Sequence, residues 1–205
     1  MKKFLIATLM AMPMIAQAQD NTWERIEQVQ EAKENPDAKY LAEGAVPEVN
    51  GKVCWQTTIN APGKSAKQIY DILYKQMEKM TKEPNQIANS VIALNDPENN
   101  ELGAVFHEWL VFKNASLSLD RTKLNFQLIV KCADGKADVK MTGVTYDYNL
   151  ERKPEHYQAE TWITDKYAVN KKHTKLYPVS AKFRRKTIDR KDFIMNKFDS
   201  LLNEK

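Results

Sequence analysis

The chain is poor in the residues that most often carry chemistry: six glycines, two cysteines and three histidines in 205 residues. Phosphate-cradling loops lack their raw material at that glycine content, and no G-x-S-x-G elbow, S-x-x-K, Walker loop or dinucleotide fingerprint occurs. Two cysteines make no disulfide framework, and a domain of this length needs none for stability. His107, His156 and His173 stand far apart without H-x-x-x-H or H-x-H spacing, so no metal site and no cofactor is expected. The single acid–imidazole neighbour pair, His107-Glu108, would point to opposite faces of a strand. Neither sign of charge dominates, with 31 lysines and arginines against 27 aspartates and glutamates, and a nearly neutral chain is a poor reader of nucleic acid. No apolar run approaches the roughly 20 residues that a membrane span requires.

What is present begins at the N-terminus. Lys2-Lys3, an apolar run from Phe4 to Ile15 and then Ala16-Gln17-Ala18 have the order of a secretory signal peptide, residues 1–18, cleaved before Gln19. No cysteine follows to accept a lipid. The expected product is an exported protein, periplasmic or extracellular and soluble after cleavage.

Residues 19–50 form a helical appendage. Asn21 with Glu24 resembles a capping box and Trp23, Ile26 and Val29 make a weak stripe that ends at Asn35-Pro36; a second turn is expected over Asp37 to Leu41. The appendage is expected to pack through Trp23, Tyr40 and Leu41. Residues 51–205 form a single domain whose pattern changes at Gly51 to period 2, with Val53, Trp55, Thr57 and Ile59 on one side of a strand stopped by Pro62-Gly63. Ser65 with Gln68 caps a helix whose stripe is Ile69, Ile72, Leu73, Met77 and Met80, closed by Lys82-Glu83-Pro84. Four β segments follow: Gln86 to Leu94, Glu101 to Phe112, Lys123 to Cys132 and Lys136 to Tyr148. Asp134-Gly135 marks a tight hairpin, and the apolar set slips by one residue across Gly143, from Val139 and Met141 to Val144, Tyr146 and Tyr148, as a β-bulge would produce. A connection at 150–186 has no sustained period, with short elements expected at Thr161 to Ala168 and Lys182 to Arg185. A last helix runs from about Asp189 to Asn203 and buries Phe193, Ile194, Phe198, Leu201 and Leu202.

The order β-α-β-β-β-β-α predicts an α+β domain, a curved antiparallel sheet of about five strands with two helices on one face. The first strand leading through Pro62-Gly63-Lys64-Ser65-Ala66-Lys67-Gln68-Ile69-Tyr70, the hairpin Cys132-Ala133-Asp134-Gly135-Lys136 and the closing helix resemble the secreted bacterial domains of unknown function with a TATA-binding-protein-like fold. The resemblance spans about residues 50 to 150 and 187 to 203 and implies that fold; the family brings no catalytic residues to transfer.

Cys132 shares strand parity with Leu124, Phe126, Leu128 and Val130, whereas Cys54 is out of phase with Val53, Trp55 and Ile59, so the two thiols are expected on opposite faces and free. The sheet face away from the helices is expected to present His107, Trp109, Tyr146 and Tyr148, with Ile129, as a ligand site. The basic residues between Lys166 and Lys191, with Asp189 as the single acid, suggest contact with an anionic partner through Lys171, Lys172, Lys175, Arg184, Arg185 and Lys186. Two functions stay open. One is an exported, non-enzymatic binding or interaction module of the cell envelope, with a protein, glycan or lipid partner and at most peripheral contact with an anionic surface. The other is an envelope hydrolase with a site assembled across the sheet.

Overall fold

The computed structural model describes residues 35–115 and 118–204. The expected signal peptide and the expected helix from Asn21 lie outside the described residues. Pro36–Lys205 form one compact unit, and residues 36–50 are built into it: Val46 is in the core, the carbonyl of Ala45 accepts from the Trp55 indole at 2.8 Å, and α1 (Ala38–Leu41) buries Leu41.

Seven strands make one antiparallel sheet: β1 (Glu48–Val49), β2 (Lys52–Asn60), β3 (Val91–Asp96), β4 (Glu101–Ala115), β5 (Ser118–Ala133), β6 (Lys136–Tyr148) and β7 (Glu155–Gln158). Their order is β1-β2-β6-β5-β4-β3, and the outer edge of β6 is shared between β2 and β7. The two strands beyond the expected five are short edge pieces. The segment from Gln86 joins the sheet late, because Asn89 has a φ of 79° and the chain from Asn85 to Ser90 only brushes β4 before β3 begins at Val91.

Helix α2 (Ala66–Met80) has the capping box expected at Ser65 and Gln68, and it buries Ile69, Leu73, Met77 and Met80 against the sheet. The Asp134–Gly135 hairpin braces its start: Asp134 Oδ1 accepts from the Ala66 amide at 2.8 Å, and Gly135, at φ 75°, exchanges backbone bonds with Ala61 and Lys64. Gly143, at φ 64°, carries the bulge; Asn125 pairs with Thr145 but Gln127 with Thr142.

The connection holds β7, a 3-10 turn at Ala159–Thr161 and α3 (Asp165–Ala168), after which α4 runs unbroken from Pro178 to Asn203. The sequence breaks this helix in two because half of its inward stripe is polar. Ser180, Arg184 and Thr187 are buried beside Phe183, Ile188, Ile194, Phe198 and Leu202 at helical spacing, so a purely apolar pattern begins only near Asp189. Phe193, expected inside, is 55% exposed, and Leu201 is half-buried. Helices α2 and α4 cover one sheet face over a core centred on stacked Phe106 and Phe126, with ring centroids 5.0 Å apart. Cys54 and Cys132 are both buried and unbonded, and burial pushes the Cys132 thiol up to about 11.

Candidate functional site

The alternation of β4 and β5 sends every second side chain away from the helices. On β5 these are Arg121, Lys123, Asn125, Gln127, Ile129 and Lys131, between the buried Leu124, Phe126, Leu128 and Val130. On β4 they include His107 and Trp109. This open face carries a hydrogen-bonded row across four strands. His107 Nδ1 donates to Asn125 Oδ1 at 2.6 Å; Asn125 Nδ2 donates to Thr145 Oγ1 at 3.1 Å and to Asp147 Oδ2 at 3.0 Å; His156 Nδ1, from β7, donates to Asp147 Oδ1 at 2.7 Å. Burial works to raise the Asp147 carboxyl, but the bonds from His156 and Asn125 outweigh it, with Lys123 at 3.8 Å assisting, so Asp147 titrates below the usual carboxylate range. With each Nδ1 engaged, each imidazole keeps Nε2 for a ligand or for solvent.

Beside the row, the Arg121 guanidinium lies 3.8 Å from the centroid of the Trp109 ring. These two, with Asp120, Asp147, Glu151 and Arg152, line a hollow of about 430 Å³ at the end of β5 and β6. A second hollow of about 360 Å³ lies between β2, β6 and β5 and is lined by Gln56, Thr58, Ile129, Lys131, Asp138 and Lys140.

Of the four expected ligand residues, Trp109 and Tyr148 line the first hollow, His107 lies on the open face outside that lining, and Tyr146 belongs to neither. His107 and Trp109 share the open face. Tyr146 does not: it is fully buried under α4, and its hydroxyl lies 2.7 Å from Thr187 Oγ1. Tyr148 packs its ring on the helix side, donating to Asp120 at 2.9 Å and accepting from Lys182 at 2.8 Å, and it reaches the hollow around the end of β6. The bulge at Gly143 corrects the parity, keeping Val139, Met141, Val144 and Tyr146 all inside. Missed by the sequence were Asn125, Asp147 and His156. Asn125 was visible as a polar residue alternating with apolar ones, but the pairing of Asp147 with His156 depends on β7, which has no period of its own.

The basic run splits. Arg184 has no exposed surface, and it donates to Asp165 at 2.6 Å and to the carbonyls of Tyr40 and Ile163 at 2.6 and 2.7 Å. Burial lowers its pKa and Asp165 opposes that shift. Arg185 is bidentate to Asp37, Lys182 meets Asp120 at 2.7 Å, and Arg190 binds the buried Glu108 at 2.8 Å through two nitrogens. The expected anionic-partner stripe thus loses Arg184 and Arg185, which bind carboxylates within the fold, because the acids they need come from distant parts of the chain. Lys171, Lys172, Lys175 and Lys186 are exposed and form no ion pair among the described residues. The described residues hold no cluster of metal-binding side chains and no helix long and apolar enough to cross a membrane.

A curved antiparallel sheet backed by two helices on one face is the TBP-like architecture. The model of the domain of unknown function DUF4468, described as having a TBP-like fold, matches residues 55–147. A DUF4468 family protein from Bacteroides ovatus superposes with a TM-score of 0.76 at 41% identity over 83% of this chain and 97% of that one. The chain belongs to the DUF4468 family. A TBP-like protein from Parabacteroides distasonis shares the fold, with a TM-score of 0.64 at 17% identity over 78% of this chain and 97% of the other. No curated protein matches the sequence.

Proposed function

We propose that the protein is an exported, non-enzymatic binding module of the bacterial cell envelope that takes a hydroxyl-rich, uncharged ligand, a glycan segment, in the hollow beside Trp109. The signal-peptide pattern of residues 1–18 supports export. The observation that carries the binding role is the mixed lining of that hollow, where the acceptors Asp120, Asp147 and Glu151 and the donors Arg121 and Arg152 stand next to an indole ring and the Tyr148 phenol, with Arg121 3.6 Å from Glu151. Sugar hydroxyls both donate and accept, so they pair with both kinds of group without bringing a charge that either kind would repel. The His107–Asn125–Asp147–His156 row holds Asp147 in place from behind.

Binding to an array of envelope-derived glycans, followed by calorimetry on any hit, tests this. Trp109→Ala and Asp147→Asn should each weaken the hit about tenfold or more while leaving the melting temperature nearly unchanged. Absence of any hit, or binding by both variants as tight as that of the wild type, would sink the proposal. The hydrolase alternative has one observation on its side, the His156–Asp147 pair at 2.7 Å, which orients an imidazole as a general base requires. No hydroxyl or thiol is bonded to either imidazole ring of the row among the described residues. Glycan turnover abolished by His156→Gln would put the hydrolase ahead.

A further inference from the structure

Of the four residues of the expected stripe that form no ion pair among the described residues, three, Lys171, Lys172 and Lys175, lie in one loop. Between Val169 and Leu176, which bridge to each other, the chain makes a closed turn pinned by Asn170: Asn170 Oδ1 accepts from the amides of Thr174 and Lys175 at 2.8 and 3.1 Å. His173 takes a φ of 52° and its Nδ1 donates to the Leu41 carbonyl at 3.3 Å, which ties the tip to α1. Lys171, Lys172 and Lys175 are exposed on this turn and form no ion pair among the described residues. The carboxylate next to it, Asp165, is engaged by Arg184 and by the Gly44 amide. The loop is therefore an ordered knob with uncompensated positive charge.

Apolar and aromatic groups flank that charge without being drawn into the core. Tyr167 and Tyr177 are 42% and 46% exposed and Val179 is 68% exposed. Their backbone segments are joined, since the Tyr177 amide donates to the Ala168 carbonyl at 2.8 Å and Ser180 Oγ reaches the Tyr167 carbonyl at 3.5 Å. Lys166 Nζ lies 5.1 Å from the Tyr167 ring centroid, adding a fourth lysine. Tyrosines whose rings are half-exposed beside lysines suit a headgroup layer, where the ring enters the apolar margin and the hydroxyl stays wet.

We propose that the 166–179 knob docks the protein peripherally on an anionic phospholipid surface, with Lys166, Lys171, Lys172 and Lys175 facing the headgroups and Tyr167, Tyr177 and Val179 entering the interface. Charge complementarity selects the partner's sign, and the exposed tyrosines and valine select a bilayer over a soluble polyanion, which would have no use for them. The glycan hollow uses other residues, so either proposal stands if the other fails.

Sedimentation of the purified protein with vesicles containing about 30% phosphatidylglycerol, against phosphatidylcholine alone, tests it. Binding should require the anionic lipid and fall steeply between about 50 and 300 mM salt. A Lys171→Gln, Lys172→Gln, Lys175→Gln triple variant should lose about fivefold per lysine, on the order of 100-fold together. A Tyr177→Ser, Val179→Ser double variant should lose vesicle binding by about tenfold and leave retention on a sulfated polysaccharide column unchanged. Equal binding of wild type and triple variant, binding that ignores salt, no vesicle binding at all, or a double variant that binds vesicles normally would each overturn the proposal. All variants alter exposed side chains only, and thermal melts confirm that each remains folded.

Discussion

The two faces of the sheet obey different physics although the same strands build both. Toward the helices, β4, β5 and β6 present Leu102, Phe106, Leu124, Phe126, Leu128, Val139 and Met141 with essentially no exposed surface. Away from them, His107, Asn125 and Asp147 form a hydrogen-bonded row and Arg121 lies over the Trp109 ring. The first arrangement is held by burial, where a missing atom leaves a void; the second consists of groups that can exchange a protein partner for water, so losing one costs little. A surface that contributes little to stability is free to be shaped by binding.

Adjacent residues on β5 can break this comparison. Phe126→Ala should cost about 3–5 kcal/mol in chemical denaturation, as a large ring lost from a core does, whereas Asn125→Ala should cost less than about 1 kcal/mol. A similar loss for both would mean that the open-face row is structural. Arg184→Met belongs with the large effects: it leaves Asp165 and two carbonyls without their donor, and breaking such a pair costs about 3–5 kcal/mol. Lys186→Gln, two residues along the same helix, should fall within about 0.5 kcal/mol.

A middle-sized effect is expected at the start of α2, where Ser65→Ala removes the acceptor of the Gln68 amide and should cost about 1 kcal/mol. Smaller still is the pH effect of the covered face. The Cys132 thiol is held neutral by burial, its pKa rising from 9.0 to about 11. Because the folded value is the higher one, its stabilising share is whole below about pH 9 and is lost as pH climbs toward 11, so Cys132→Ala should flatten that part of an alkaline stability profile. Alkylation without reductant should label neither cysteine in the native protein at neutral pH and both after denaturation. A thiol that labels only once a reductant is added would show the pair bonded after all.

Period 2 in the strands, the S-x-x-Q cap at Ser65, the Asp134-Gly135 turn and the slip at Gly143 made the α+β sheet with its backing helices legible, since each is a local interaction between residues a few positions apart. Local reading failed wherever an element leans on a distant partner. Arg184 looks like surface charge until Asp165 and the Tyr40 carbonyl arrive from elsewhere, and the polar stripe of Ser180, Arg184 and Thr187 hid the first half of α4 for that reason. Edge strands β1 and β7 are two and four residues long, too short to show any period.

The class of fold, the capped helix, the hairpin, the bulge and the opposite parity of the two cysteines are written in the order of residues alone, because alternation, capping and turn chemistry act over a few residues and survive without knowledge of the rest. The face that Tyr146 takes across the bulge, the basic residues bound to carboxylates inside the fold, and the single row of His107, Asn125, Asp147 and His156 were settled by packing in three dimensions. Those outcomes depend on pairings between residues from 9 to 148 positions apart, whose energies exist only once the strands and helices are brought side by side.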